Sequence, residues 1–143
     1  MLSQKLEVAV SLANEKVRFT GRGRDNPPVA FDYAPPLGDG RGYTGLEMLL
    51  LSLAACSGTS VVALLRQMRK SVRGLVVSAE GVRRATHPTA LETIALHFQL
   101  TSEDATDHDV KMAVGLSQES ICPVWAMVKG NVKISADWSI VAP

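Results

Sequence analysis

Residues 44–65 read TGLEMLLLSLAACSGTSVVALL, and from Met48 to Leu65 the run carries no charged side chain. Thr44-Gly-Leu-Glu47 has capping-box spacing, in which a hydroxyl and a carboxylate three residues apart satisfy each other's backbone N–H groups at a helix start. Arg66, Arg69 and Lys70 follow and suit the carbonyl-rich end of the helix dipole. A continuous helix from about 45 to 70 would be ~40 Å long at ~1.5 Å per residue, close to the full diameter of a domain this size. A helix apolar on every side must be enclosed. The uncharged run also reaches the length of a membrane span. Its central small polar residues, and the amphipathic strands around it that need apolar cover, favour a buried core helix.

Those strands are read from alternation. Leu6, Val8, Val10 and Leu12 alternate with Glu7, Ala9 and Ser11, then turn at Ala13-Asn14-Glu15. Lys16 to Thr20 returns with Val17 and Phe19 inward, and Val29, Phe31 and Tyr33 form a third short strand. Two Gly/Pro-rich stretches, residues 21–28 and 35–42, must be loops. After the helix, residues 72–84 alternate loosely, while Ile94, Leu96, Phe98 and Leu100 alternate cleanly with Ala95, His97 and Gln99. Thr106 to about Ser120 places Val110, Ala113, Val114 and Ser117 on one helical face. Cys122-Pro123 opens a short helix ended by Gly130, and Val132, Ile134, Ala136, Trp138 and Ile140 line one side of a last strand. The expectation is a single α+β domain over residues 1–143, with antiparallel sheet around a central helix.

Composition narrows the function classes. The chain has 143 residues, a formal net charge of +1 and few aromatic side chains. That balance argues against nucleic acid and anionic membranes as partners. Residues 1–16 alternate and carry Lys5, Glu7 and Glu15, unlike a secretory leader, so the expected location is cytoplasmic. Two cysteines in such a protein are more often redox or free thiols than cross-links. There is no CxxC pair, and His87, His97 and His108 lack ligand spacing, so no metal or bound cofactor is expected.

Cys56 lies at the centre of the apolar run, flanked by Ser52, Ser57, Gly58, Thr59 and Ser60. A buried thiol is usually an inert small hydrophobe. Peroxide reduction or disulfide exchange needs thiolate, and at an ordinary pKa of about 8.5 only a few per cent is ionised at neutral pH. Ser52, Cys56, Thr59 and Ser60 share one helical stripe. It reads either as a pocket wall of hydroxyl donors or as small residues whose hydroxyls bond back to carbonyls four residues earlier. Cys122 precedes Pro123 at a helix start, where free N–H groups favour thiolate; the bland alternative is a cysteine that merely precedes a helix-starting proline. Candidate cations are Arg22 and Arg24 in the first loop and Arg18 before it, although such a loop is ordinarily a solvated turn. Gly38-Asp-Gly-Arg-Gly42 has the look of a weak phosphate cradle. Glu47 is half a turn away from Cys56 and ~13 Å along the axis, so it serves either as a cap alone or a thiol on another subunit.

The segment TGLEMLLLSLAAC (44–56), the basic residues 66–73 and Cys122-Pro123-Val124 resemble the OsmC/Ohr family of osmotically induced and organic hydroperoxide resistance proteins. The resemblance in element order covers nearly the whole chain. It implies an OsmC-like fold, with antiparallel sheets around long central helices in an intertwined homodimer. It also implies thiol-dependent reduction of organic hydroperoxides, with Cys56 as attacking thiolate and Cys122 closing a disulfide, and an external dithiol, for instance of lipoyl type, as reductant. Arg22 or Arg24 would face the thiolate and Glu47 would hold that arginine. Two departures stand out. Thr44-Gly45 and Leu46 stand where the hydroperoxide-resistance branch has Asn-Pro-Glu, and both Arg22 and Arg24 follow a glycine, so either aligns with that branch's arginine. The chain thus resembles the generic OsmC-like branch more closely. The alternative function is a non-catalytic dimer that binds a small apolar ligand at the subunit interface.

Overall fold

A computed structural model describes residues 4–143. The first three residues of the N-terminal stretch that is unlike a secretory leader lie outside it. The backbone forms two compact units, one ending at Leu49 and the other running from Leu50 to Pro143.

The first unit is built on an antiparallel sheet of β1 (Ala9–Leu12), β2 (Phe19–Arg22) and β3 (Val29–Phe31), in that order. The turn between β1 and β2 is fastened by Asn14, whose side-chain oxygen accepts the N–H groups of Lys16 at 3.0 Å and Arg18 at 3.1 Å. The alternation read from Leu6 to Leu12 is present, but its apolar side is open. Leu6 and Val8 are 87% and 83% exposed, and Val10 and Leu12 are 56% and 57% exposed.

α1 (Gly45–Gln67) carries the uncharged run. Its capping box is formed as expected: Thr44 Oγ1 accepts the Glu47 N–H at 3.2 Å, and Glu47 Oε1 accepts the Thr44 N–H at 2.9 Å. It ends at Gln67, short of the residue 70 that the charge pattern implied. The Lys70 N–H reaches the Leu65 carbonyl and the Arg69 N–H reaches the Arg66 carbonyl, with Arg69 at φ 60°. These are the two bonds of a Schellman stop, here with arginine at the left-handed position usually taken by glycine. α1 is long and apolar enough to cross a membrane by length and composition. Here Leu53, Val61 and Leu65 are fully buried in the core of the second unit.

That core is completed by a second sheet, ordered β4 (Gly74–Arg83), β5 (Leu91–Thr101) and β6 (Lys133–Val141), and by α2 (Asp107–Leu116) and α3 (Pro123–Val128). Ile94, Leu96, Phe98 and Leu100 point inward from β5, and Val110, Ala113 and Val114 from α2, as their periodicity requires. Gly58 lets α1 approach β4: a Cβ there would come within 3.3 Å of the Val77 side chain. α2 begins with its own capping box between Thr106 and Asp109 and is tied to the sheet by Trp138, whose ring N–H donates to Asp107 at 2.7 Å.

One expectation needs correction. β4 and β5 are antiparallel, but β5 and β6 run parallel, in register from Thr93↔Lys133 to Thr101↔Val141. Parallel neighbours need a crossover of a dozen or more residues. The segment between Thr101 and Lys133, with its two helices, supplies that crossover. On the outer face, His97 is engaged by neighbours on β6: its Nδ1 lies 2.6 Å from Asp137 Oδ1 and its Nε2 3.1 Å from Ser139 Oγ.

The left-handed stop of α1 yields a stability prediction. Holding a side chain at this φ costs about 1 kcal/mol, which glycine does not incur. Arg69→Gly should therefore raise the urea midpoint by the equivalent of about 1 kcal/mol at unchanged slope. An unchanged or lower midpoint would show that the arginine side chain offsets its own backbone strain.

Candidate functional site

α2 does not run directly into α3. It passes into a π-helical turn, Ser117–Ile121, closed by the Cys122 N–H donating to the Ser117 carbonyl at 2.9 Å. This wide turn inserts one extra residue and sets Cys122 as the N-cap of α3. Cys122 has extended backbone, Pro123 takes the first helical position, and Cys122 Sγ accepts the Trp125 N–H at 3.4 Å. The sulfur thus does the work that a serine or aspartate oxygen does at most helix starts.

Cys56 on α1 meets the same turn. Its thiol lies against the Cys122 side chain and is within reach of the Val124 N–H. The first turn of α3 therefore offers one N–H to each sulfur, Val124 to Cys56 and Trp125 to Cys122. Both cysteines are free thiols; Cys122 is buried and Cys56 half-buried. Burial pushes the Cys56 thiol up, the Val124 N–H pulls it down, and the neighbouring Cys122 pushes it up again, so Cys56 stays above its ordinary value. In this environment the neutral thiol is favoured unless a positive charge is brought to it.

The hydroxyl stripe divides between its two readings. Thr59 Oγ1 donates to the Ala55 carbonyl at 2.9 Å, and Ser60 Oγ donates to the Cys56 carbonyl at 3.1 Å, so both bond back along the helix. Periodicity missed the hydroxyl that does reach a sulfur. Ser57, fully buried and one residue beyond Cys56, has its Oγ 3.6 Å from Cys122 Sγ. Nothing in the spacing along α1 marks it, because its partner comes from the far end of the chain.

Arg22, Arg24 and Glu47 all belong to the first unit. Arg22 ends β2, Arg24 sits in the following turn at φ 53°, and the Glu47 carboxylate is engaged in the α1 cap. Arg18 has a different duty. Its Nε lies 3.7 Å from Asp32 Oδ2 and its Nη2 3.4 Å from Asp39 Oδ2.

Asp32, which sequence reasoning passed over, overturns the phosphate-cradle reading of residues 38–42. Its buried carboxylate accepts the N–H groups of Tyr33 at 2.8 Å, Arg41 at 3.0 Å and Asp39 at 3.3 Å. The loop's inward N–H groups already hold an anion, and it is the protein's own. A Cβ on Gly38 would collide with this carboxylate and with the Tyr33 backbone, and Gly40 sits at φ 69°. Among the described residues no group of three His, Cys, Asp or Glu side chains is placed to hold a metal.

A family model described as OsmC-like protein matches residues 38–137, more than two thirds of the chain. No curated protein matches the sequence. Among solved structures, a hypothetical protein from Aquifex aeolicus VF5 is 26% identical, covers 99% of each chain and has a TM-score of 0.87. An OsmC like protein from Mycoplasma pneumoniae is 21% identical, over 98% of this chain and 99% of its own, at 0.84. An organic hydroperoxide resistance protein OsmC from Legionella pneumophila is 16% identical, over 97% of this chain and 99% of its own, at 0.74. The last two likenesses are of fold.

Asp32 gives this site its pH prediction. Burial pushes its carboxyl up, but the N–H groups of Arg41, Tyr33 and Asp39, with the Arg18 guanidinium, outweigh that and hold it below the ordinary value. The unfolded chain then binds the proton first. Stability from this group is complete above about pH 4 and is lost as pH falls through the depressed folded value. Asp32→Asn should be less stable than the parent at pH 7 and should show a shallower loss between about pH 4 and pH 2. Parallel acid limbs in chemical denaturation would refute this account.

Proposed function

The chain belongs to the OsmC family, and on that footing we propose that it is a cysteine-dependent peroxidase for organic hydroperoxides, acting in the cytoplasm as a homodimer. The observation that carries this reading is the meeting of Cys56 and Cys122, one from the central helix and one from the cap of α3, with a backbone N–H beside each sulfur. Cys56 thiolate attacks the distal peroxide oxygen, the O–O bond breaks and the alcohol leaves, and the sulfur becomes a sulfenic acid. Cys122 thiolate then attacks that sulfur; the S–O bond breaks, hydroxide leaves as water after taking a proton, and a disulfide forms. An external dithiol, for instance of lipoyl type, restores both thiols by exchange and is itself oxidised to a disulfide. Because Cys56 is held neutral by burial, the reading assigns Arg22 or Arg24 to its ionisation and Glu47 to orienting that arginine.

The homodimer rests on surface chemistry. Every fully buried apolar side chain among the described residues lies between Leu53 and Val128, while Leu6, Val8, Val10 and Leu12 present one apolar row to solvent. Such a row marks an interaction surface. Val8→Glu combined with Val10→Glu should convert a dimer to monomer in sedimentation velocity. A parent already monomeric at micromolar concentration would remove the dimer.

One equivalent of cumene hydroperoxide should produce an intramolecular Cys56–Cys122 disulfide, seen by non-reducing peptide mapping. Cys56→Ser should reduce turnover to the level of buffer. Retained turnover in that variant, or two free thiols after peroxide, would exclude the mechanism. A second reading, binding of a small apolar ligand without catalysis, is favoured by an open groove of about 630 Å³ along α1, lined by Leu51, Ala55, Val62, Leu75 and Val77, with Arg66. A lipid-like molecule retained through purification, with no peroxide turnover, is its signature.

A further inference from the structure

Ser57 is the buried hydroxyl that the two-cysteine reaction leaves unused. Unlike Thr59 and Ser60, it does not bond back to a helix carbonyl; its hydroxyl faces Cys122 Sγ at 3.6 Å. That sulfur already accepts the Trp125 N–H at 3.4 Å, and Cys56 faces it from α1. Either the Ser57 O–H or the Cys122 S–H can donate across this contact, and Cys56 also lies within hydrogen-bonding reach of Cys122. As the attacking thiolate, Cys122 would accept from both Ser57 and the Trp125 N–H, and a hydrogen bond to a charged group is stronger than one between neutral groups. The contact therefore fixes where the attacking sulfur points.

We propose that Ser57 is the positioning residue of disulfide closure: its hydroxyl holds Cys122 aimed for attack on an oxidised Cys56. The proposal rests on the two-cysteine reading but makes a claim about Cys122 that needs no peroxide. In the closure step the Cys122 thiolate supplies the electron pair for the new S–S bond. The leaving group on Cys56 departs with the old bond's electrons: hydroxide from a sulfenic acid, or glutathione thiolate from a mixed disulfide. Removing the hydroxyl leaves the first oxidation of Cys56 untouched and slows closure of the disulfide.

The test follows closure by two routes in the parent and in Ser57→Ala, a substitution that only shortens a side chain. The first route uses cumene hydroperoxide with a dione trap for sulfenic acid; the second uses glutathione disulfide and watches glutathione release. Closure in Ser57→Ala should slow about tenfold or more by both routes, with trapped Cys56 sulfenic acid accumulating. In a Cys122→Ser background, formation of the trapped Cys56 sulfenic acid should proceed at the same rate with serine or alanine at 57, a split between first step and closure that mere loosening of the helix would not produce. Equal closure rates, or a first step slowed as much as closure, overturn the role of Ser57. If hydroperoxide leaves Cys56 reduced but glutathione release still slows in Ser57→Ala, the peroxidase reading falls and the role of Ser57 stands.

Discussion

The structure depends on covering α1. An uncharged helix of this length cannot leave its apolar surface in water, and the second unit answers for one side of it. Leu53, Val61 and Leu65 are buried together with the inward row of β5 and the inner face of α2. Gly58 permits close approach to Leu75 and Val77, which sets α1 directly against β4. From this packing the topology follows. A chain that leaves β5 and must place α2 in the same core returns to the starting end before it can lay down β6, and the strand is therefore parallel to β5.

The same crossover creates the thiol site. It has to end where β6 begins, and its last piece, α3, starts beside α1. A π-helical turn adjusts the approach, so that Cys122 becomes the cap and its neighbours' N–H groups face two sulfurs. The site is thus a by-product of how a long connection is closed against a helix. Its chemistry is a contest between burial, which favours neutral sulfur, and oriented N–H and O–H donors, which favour thiolate. At Cys56 burial prevails over the single Val124 N–H. Cys122 is more deeply buried; its sulfur accepts the Trp125 N–H and lies 3.6 Å from the Ser57 hydroxyl.

Features with a period or a local partner are legible in the sequence. The rows Ile94–Leu100 and Val110–Val114, the capping box at Thr44 and the Cys-Pro helix start can be read directly, because each depends on residues within a turn or a strand of one another. Features settled by distant pairing are not. The direction of β6 depends on a connection, not on its own residues. Ser57 looks like any small residue in a packed helix until Cys122 arrives against it. Asp32 is hidden by its setting among strand and loop residues, although a carboxylate just before a glycine-rich loop is the signal that could have found it. The glycines at 38, 40 and 42 point correctly to a tight anion-holding loop and wrongly to a foreign anion. The paired cysteines are recognisable chiefly through family resemblance, since nothing in their spacing brings them together.

The internal anion also bears on where a catalytic cation could come from. Arg18 is committed to Asp32 and Asp39, which fixes the loop and withdraws that guanidinium from other work. Arg22 and Arg24 lie at and after the end of β2, where no carboxylate of the described loop claims them, and Arg24 is held in a left-handed turn that fixes the direction in which the chain leaves the strand. The interior carboxylate is satisfied by three backbone N–H groups with Arg18 beside it, so Arg18 has a structural post that Arg22 and Arg24 do not share. On the proposed reading, the cation that Cys56 needs falls to Arg22 or Arg24, since Arg18 is already paired with Asp32 and Asp39.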